Sequence, residues 1–143
     1  MEKKMTTHTL GKNDGVILHN AVKWSRPGEK VSLRLCTQLL ARPDNCFIAA
    51  MIDGSPVGLI VAYVIPRFRG EAMFLYEIDV HPKHRRQGIA TKLIEALKKT
   101  CRTRRLKEIF VLTERSNRAA MHLYRKTGGH RAHSDDALFI YAL

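Results

Sequence analysis

The sequence predicts an α/β (α+β) fold, a mixed, mostly antiparallel central sheet of six to seven strands flanked by about four helices. Two helical patterns precede three β-prone segments, and helices alternate with short strands after them. The last of the three β-prone segments feeds a basic, glycine-containing turn that opens a helix. The 143 residues suit a single domain over 1–143, with no linker composition inside it.

The N-terminal third is predicted to form a short strand over 7–10 and two helices. The first helix runs to Trp24 and can be capped by Asn13 or Asp14, because short polar side chains accept hydrogen bonds from the first helical N–H groups. A second helix is predicted over 29–41, where apolar residues recur on one side.

A three-strand meander is predicted next. Strands over 46–52 and 56–65 flank a hairpin turn at 53–55, and a third strand covers 74–80. Gly58 lies inside the second strand, where glycine indicates a bulge or a close approach of another backbone.

The C-terminal half is predicted to alternate between helices and strands. A helix from 89 to about 103 carries apolar residues at four-residue spacing, and a strand over 108–113 follows. A second helix is predicted over 117–126, and two last strands over 130–133 and 137–142.

The net charge of +12 and the pI near 10.1 suit an anionic ligand, and would equally suit nucleic acid. The densest basic run covers 98–107, and no aromatic residue interleaves it, as base stacking would require. We therefore favour a solvated helix end, where cations complement the helix dipole, and do not expect a nucleic-acid partner.

No run of residues approaches the roughly 18–20 apolar residues of a membrane span, so no membrane partner is expected. The first residues lack the apolar stretch of a signal peptide, and a cytoplasmic location is expected. Cys36, Cys46 and Cys101 are odd in number and scattered, which predicts neither a disulfide framework nor a metal site.

The turn over 81–91 is built to receive an anion. The first N–H groups of a helix lack intrahelical partners and lie at the positive end of its dipole. Gly88 lets the backbone approach a phosphate closely, and the small Ala90 keeps that surface open. Arg85 and Arg86 can add charge-assisted hydrogen bonds. These residues predict a phosphate-binding turn.

The spacing Arg85-x-x-Gly88-x-Ala90 after a strand resembles the pyrophosphate loop of the GCN5-related N-acetyltransferase (GNAT) superfamily, and Asn117-x-x-Ala120-x-x-Leu123-Tyr124 resembles a later motif of that superfamily. The resemblance implies a GNAT fold, acetyl-CoA as cosubstrate and a homodimer. It also implies a set of cofactor-binding residues: Ile78, Val80, Arg85, Arg86, Gln87, Gly88, Ile89, Ala90, Thr91, Asn117, Ala120 and Tyr124.

The run Val57-Gly58-x-x-x-Ala62-Tyr63-Val64, with Leu75-Tyr76-Glu77 and the turn itself, looks like the aminoglycoside 3-N-acetyltransferases of the type I group. This resemblance implies acetyl transfer to the 3-amino group of a small polycationic acceptor, and antibiotic resistance. A protein or peptide amine, or an amino-acid-like metabolite, is the alternative acceptor. A basic nucleic-acid-binding module is the third and least favoured hypothesis.

Acetyl transfer to an amine needs a base, because the amine must lose its proton before it attacks. Period-2 alternation along the predicted strand places Glu77 and Asp79 on one face and Tyr76, Ile78 and Val80 on the other. Glu77 is the first candidate base and Asp79 the second. The alternative for either carboxylate is an ion pair with a neighbouring Arg or Lys.

Two further catalytic roles follow from the superfamily resemblance alone. Tyr124 would protonate the leaving CoA thiolate or hydrogen-bond its sulfur. The main chain of Ile78 and Val80 would bind pantetheine and the acetyl carbonyl, in an oxyanion-hole role.

Overall fold

The computed structural model describes residues 3–143, and the chain divides into two compact units, one ending at Leu112 and the other spanning Thr113–Leu143. The first unit holds a five-stranded sheet and three α-helices, and the second holds one α-helix. A single domain over 1–143 stays a prediction.

The sheet of the first unit has the strand order β1-β2-β3-β4-β5, in which β4 and β5 are parallel and all other neighbours are antiparallel. Its strands are β1 (Met5–Thr9), β2 (Asn45–Ile52), β3 (Ser55–Ile65), β4 (Ala72–Val80) and β5 (Ile109–Val111). The helices are α1 (Gly15–Ser25), α2 (Leu33–Leu40) and α3 (Ile89–Thr103). The predicted fold class is confirmed, with fewer strands than predicted.

Helices cover both faces of this sheet. On one face Leu18 of α1 and Leu40 of α2 belong to a buried cluster with Phe47 of β2. On the other face Ile89 and Leu93 of α3 lie over β3 and are buried. The central strands therefore have no solvent-facing side, which is why β2 reads as a nearly continuous apolar run and not as an alternation.

Helix α2 begins later than predicted, after Ser32 and not at residue 29. The Ser32 hydroxyl accepts a hydrogen bond from the N–H of Leu35 at 3.0 Å, which is the geometry of an N-cap. Helix α1 follows Asp14 as predicted, but the Asp14 carboxylate accepts from the N–H of Gly11 at 2.7 Å and does not cap the helix.

A β-bulge changes the direction of side chains in the middle of β4. Val61 of β3 pairs with Glu77, and the next residue of β3 pairs with Leu75, so Tyr76 is an extra residue. The ring of Tyr76 contacts that of Tyr63 at a centroid distance of 5.9 Å, on the face shared by Val61 and Glu77. The prediction that Tyr76 lies on the face opposite Glu77 is therefore wrong, because the bulge resets the period-2 alternation.

The C-terminal unit contains α4 (Arg118–Lys126), preceded by Asn117, so the predicted helix is confirmed. The two strands predicted over 130–133 and 137–142 are wrong, since neither segment pairs with any strand of the described chain. A strand is stabilised by a hydrogen-bonded neighbour and a buried face. The side chains over 138–141 have neither, and they are 70–85% exposed.

Candidate functional site

The turn between β4 and α3 reverses the chain through two left-handed residues. A short 3-10 helix, Pro82–His84, follows β4, and Nδ1 of His81 accepts a hydrogen bond from the N–H of Lys83 at 3.1 Å. Arg86 (φ 61°) and Gly88 (φ 77°) then adopt positive φ, and α3 begins at once. The predicted turn opening a helix is confirmed.

The N-terminus of α3 is open to a ligand. Gly88 takes the N-cap position, and no side chain caps the first turn. The N–H groups of Ile89, Ala90 and Thr91 have no acceptor within the helix, because its first bond runs from the N–H of Lys92 to the carbonyl of Gly88. A Cβ atom added to Gly88 would meet nothing within 4 Å. This uncapped, unobstructed helix end fits a pyrophosphate.

Arg85 ties the turn to the end of β4. Its Nε donates to the carbonyl of Val80 at 3.1 Å, and its Nη2 lies 3.7 Å from Oδ1 of Asp79. The same Oδ1 accepts from the N–H of Val80 at 2.9 Å. Asp79 is therefore engaged in holding the strand end. The side chains of Arg86 and Gln87 are exposed.

The far half of β4 has an open edge within the first unit. Strand β5 pairs only with residues 73–75 of β4. The N–H of His81 donates to Val57 of β3 at 2.8 Å, so alternation directs the N–H groups of Ile78 and Val80 away from β3. The predicted main-chain donors thus lie along this open edge, directly before the turn.

Glu77 forms an ion pair with Arg26 at the end of α1. Nη2 of Arg26 contacts Oε2 of Glu77, and Nη1 of Arg26 lies 2.8 Å from Oε1 of Glu29. Burial lowers the pKa of Arg26, but the hydrogen bonds and negative charges of Glu29 and Glu77 outweigh that effect and raise the pKa above its ordinary value. The ion-pair alternative for Glu77 is present in the structure.

Aromatic rings border this carboxylate. Tyr63 contacts Tyr76, and Tyr76 contacts Phe74, with centroids 5.9 Å apart in both pairs. Burial raises the pKa of the Tyr63 hydroxyl, the neighbouring hydroxyl of Tyr76 and the charge of Glu77 add to the increase, and the charge of Arg26 opposes it. Tyr76 is 56% exposed, so its ring forms an open surface beside Glu77.

Trp24 fixes the end of α1 that carries Arg26. Its Nε1 donates to the carbonyl of Pro56 at the start of β3, at 3.1 Å. Its ring lies 5.4 Å from that of His81, at the start of the turn. One side chain therefore links α1, β3 and the turn.

The second motif lies in the C-terminal unit. Oδ1 of Asn117 accepts from the N–H of Ala120 at 3.0 Å and caps α4. Tyr124 is half-buried, and burial raises the pKa of its hydroxyl above the ordinary value. Asn117 and Tyr124 are seven residues apart, about two helical turns, and this spacing places them on one side of the helix.

Sequence reasoning missed the residues that surround Glu77. Arg26 follows the apolar pattern of α1 directly, and Glu29 opens what was predicted as helix. Tyr63 and Tyr76 stand in the segments that resemble known acetyltransferases but were given no role. The dipeptide Pro27-Gly28 is a turn signal directly after Arg26, and it was the sequence feature that could have drawn attention to this residue.

Three further observations on the described residues concern metal binding, a groove and membrane spans. No group of three His, Cys, Asp or Glu side chains there is arranged to hold a metal ion. A groove of about 600 Å³ lies between β1 and α3, and its lining includes Thr7, Thr9, Lys92 and Lys99. None of the predicted site residues lines the groove. Within residues 3–143, no helix is both long and apolar enough to cross a bilayer.

Solved structures with the same fold include several acetyltransferases. The chain is similar to an aminoglycoside acetyltransferase from an uncultured soil metagenomic sample, with 26% identity, a TM-score of 0.81, and coverage of 98% of this chain and 99% of that one. It is also similar in fold to the aminoglycoside N-acetyltransferase AAC(6')-Iy in complex with CoA, with 19% identity, a TM-score of 0.84, and coverage of 100% and 97%.

Sequence comparison agrees with the fold. The chain is 29% identical to human N-acetyltransferase 8 over 109 residues, and this match covers 70% of the chain. The chain spans about half the length of that curated relative, 48%. The profile of the Acetyltransferase (GNAT) family matches residues 17–129, which include β4, the phosphate turn and the second motif. The chain therefore belongs to the Acetyltransferase (GNAT) family.

Proposed function

We propose that this chain is an acetyl-CoA-dependent N-acetyltransferase that moves the acetyl group directly to a primary amine of a small polycationic acceptor. The 3-amino group of an aminoglycoside is the first candidate, and a 6'-amino group is its rival, because the similar solved structures include aminoglycoside 6'-N-acetyltransferases. One observation carries the proposal. An open anion-binding turn at Gly88 and a carboxylate at Glu77 flank the unpaired edge of one strand.

The residues of the turn fit the pyrophosphate of acetyl-CoA. The backbone N–H groups from Gly88 to Thr91 would bind its oxygens, and the exposed guanidinium of Arg86 would add charge. Arg85 would hold the turn in register with β4 through the Val80 carbonyl. Asn117 and Ala120 would contact pantetheine by their resemblance to the family motif.

When bound, acetyl-CoA supplies a thioester whose carbonyl carbon is open to attack by an amine. Glu77 takes the proton that the attacking amine must lose, directly or through a water. The N–H of Ile78, on the open edge of β4, donates to the oxyanion that develops as the C–N bond forms. It is a better candidate than the N–H of Val80, which already donates to Asp79.

The C–S bond then breaks, and the departing sulfur needs a proton. A tyrosine hydroxyl is protonated at neutral pH, and burial raises the pKa of Tyr124 above its ordinary value. By its resemblance to the family motif, Tyr124 would supply that proton or hydrogen-bond the thiolate. No enzyme nucleophile is needed, because the amine attacks directly.

The two candidate bases differ in their partners. Asp79 accepts from its neighbour's N–H and faces Arg85, so its carboxylate is engaged at the strand end. Glu77 faces Arg26 with its side chain 24% exposed, close to the 29% of Asp79, so exposure alone does not separate the two. A group that exchanges protons with an acceptor must be reachable, and Glu77 lies beside the exposed ring of Tyr76. Glu77 remains the first candidate.

The local charge favours a cationic acceptor. Arg26 stands between two carboxylates, so the cluster of Arg26, Glu29 and Glu77 carries a net charge of −1 within a chain of net charge +12. An ammonium group is attracted to such a cluster. A zwitterionic acceptor, such as a peptide or an amino-acid-like metabolite, is the second candidate, because the guanidinium of Arg26 could pair with its carboxylate.

The test is CoA release, followed with a thiol reagent, from acetyl-CoA and a panel of aminoglycosides, polyamines, amino acids and peptides. Glu77→Gln is expected to lower kcat/KM on gentamicin about 10²- to 10⁴-fold, the usual contribution of a general base. Glu108→Gln is the matched control, because Glu108 loses the same charge from a similar ion pair, 3.3 Å from Arg67. It should keep the wild-type rate.

Three outcomes separate the hypotheses. Release on peptides or amino acids alone would select the second acceptor class. Full activity of Glu77→Gln would overturn the base assignment, and no release on any acceptor would overturn the activity. NMR of the acetylated aminoglycoside would tell a 3-amino product from a 6'-amino product.

The homodimer and the cytoplasmic location stay predictions. Light scattering on the purified chain tests the homodimer.

A further inference from the structure

The side chain that pairs with Glu77 occupies the place that a cationic acceptor needs. Arg26 is bound on one side by Glu77 and on the other by Glu29. An acceptor amine that gives its proton to Glu77 must first come within hydrogen-bond reach of that carboxylate, directly or through one water. The guanidinium holds Oε2 of Glu77 and neutralises its charge, so it competes with a cationic acceptor for that carboxylate.

We infer that Arg26 is a specificity-determining residue, an internal cation that competes with the acceptor ammonium for Glu77 and withdraws onto Glu29 when the acceptor binds. This inference rests on the proposed acetyl transfer to a cationic amine. It assigns Glu29 a role as the resting partner of the displaced guanidinium.

The surroundings of Arg26 permit such an exchange without moving α1. The last turn of α1 is anchored by Trp24, and the N–H of Arg26 donates to the carbonyl of Val22 at 2.8 Å. Beyond Arg26 the chain opens into a turn, where a Cβ atom added to Gly28 would meet nothing within 4 Å. The exchange thus needs only side-chain rotation, with the backbone held.

The two carboxylates differ in the way that the exchange requires. The Glu29 side chain is 57% exposed and the Glu77 side chain is 24% exposed. The exposed partner can hold the guanidinium in water-accessible space, while the less exposed one is left to the acceptor. With Arg26 withdrawn, Glu77 presents an unpaired negative charge beside Tyr63 and Tyr76.

Competition between Arg26 and the acceptor predicts KM changes of opposite sign in two variants, which a purely structural ion pair does not predict. Arg26→Gln removes the competitor, so the KM for gentamicin is expected to fall about two- to five-fold, the factor that a part-exposed ion pair supports. Glu29→Gln removes the resting partner, so Arg26 stays on Glu77 and the KM is expected to rise by a similar factor. In both variants kcat should change less than KM.

A double variant tests whether Glu29 acts only through Arg26. If Glu29 acts only through Arg26, then Arg26→Gln with Glu29→Gln should match Arg26→Gln alone. Arg67→Gln is the control for the loss of a cation, because Arg67 pairs with Glu108 at 3.3 Å and not with Glu77. It should leave the KM for gentamicin unchanged.

Binding is measured separately from turnover, by calorimetry of gentamicin with the full chain. Tighter gentamicin binding by Arg26→Gln and weaker binding by Glu29→Gln would support the inference, even if no CoA is released and the proposed activity fails. The inference is overturned if the Kd for gentamicin shifts in the same direction in both variants. It is also overturned if neither the wild type nor Arg26→Gln binds gentamicin. A higher KM of Arg26→Gln for peptide acceptors, with gentamicin unaffected, would also overturn it and show that Arg26 binds an acceptor carboxylate.

Discussion

Gly58 sets how closely α3 packs on the sheet, and its replacement should disturb the phosphate turn from a distance. A Cβ atom at Gly58 would lie 2.9 Å from Cγ2 of Ile89 and 2.9 Å from Cδ1 of Leu93. It would also lie 3.2 Å from Cβ of Ala50. Non-bonded contacts of real Cβ atoms essentially never fall under 3.0 Å, so the buried side chains of Ile89 and Leu93, or α3 with them, must shift. Ile89 is the first residue of α3, next to the uncapped N–H groups.

Gly58→Ala is therefore expected to reduce both stability and acetyl-CoA affinity. Overpacking a close-packed core usually costs about 1–3 kcal/mol of the free energy of unfolding. For a chain of this length that loss corresponds to a decrease in Tm of about 3–10 °C. Displacement of the α3 N-terminus should raise the Kd for acetyl-CoA about tenfold or more, because binding-site geometry tolerates small shifts poorly.

The assay pairs thermal unfolding with calorimetric titration of acetyl-CoA. Gly28→Ala is the matched control, since a Cβ atom there meets nothing within 4 Å and the φ angle of Gly28 is not positive. Its Tm should stay at the wild-type value or rise slightly, because alanine restricts the unfolded chain. If Gly58→Ala keeps both the wild-type Tm and the wild-type Kd, the argument from the α3–β3 contact is refuted.

Three further predictions concern other parts of the chain. Asn117→Ala should lose the cap of α4 and about 0.5–2 kcal/mol of helix stability, seen as faster amide exchange, whereas Asn117→Asp should keep it. If Asn117→Asp keeps that protection yet binds acetyl-CoA more weakly, the amide also has a ligand role. Burial raises the pKa of Cys101 to about 11 and raises the pKa of Cys36 and Cys46, so at pH 8 the thiols stay protonated and unreactive. A thiol reagent should then titrate all three only in denaturant, and rapid labelling of the native chain would contradict their burial. Arg86→Ala should raise the KM for acetyl-CoA about three- to ten-fold with kcat unchanged, by loss of a charge-assisted bond to phosphate, and an unchanged KM would remove Arg86 from the site.

The phosphate turn could be predicted because its determinants are contiguous. A β-prone segment, a glycine and an amphipathic pattern stand in one stretch, and their consequences are local: Gly88 adopts positive φ and α3 begins after it. The meander was predictable for the same reason, since its hairpin turn and apolar runs adjoin one another. The sequence indicated that Gly58 marks a bulge or a close contact, and the position of α3 shows that it is a close contact.

Two predictions failed because they depended on a neighbouring strand, which a single segment does not specify. The apolar residues over 137–142 have the composition of a strand, yet they form none in the structure. The alternation along β4 failed at Tyr76, because a bulge is a relation between two strands. A segment read alone contains neither the neighbouring strand nor the register.

The sequence by itself determined the sheet-and-helix class, the phosphate turn and the presence of carboxylates on β4. Only the tertiary structure decided what those carboxylates contact. Glu77 meets Arg26, which is 51 residues away along the chain, and nothing local selects that cation from the 25 Lys and Arg residues. Turn and helix signals act over a few residues, where chain connectivity already supplies the geometry. Ion pairs and core contacts join residues far apart in sequence, and they exist only once the helices have packed on the sheet.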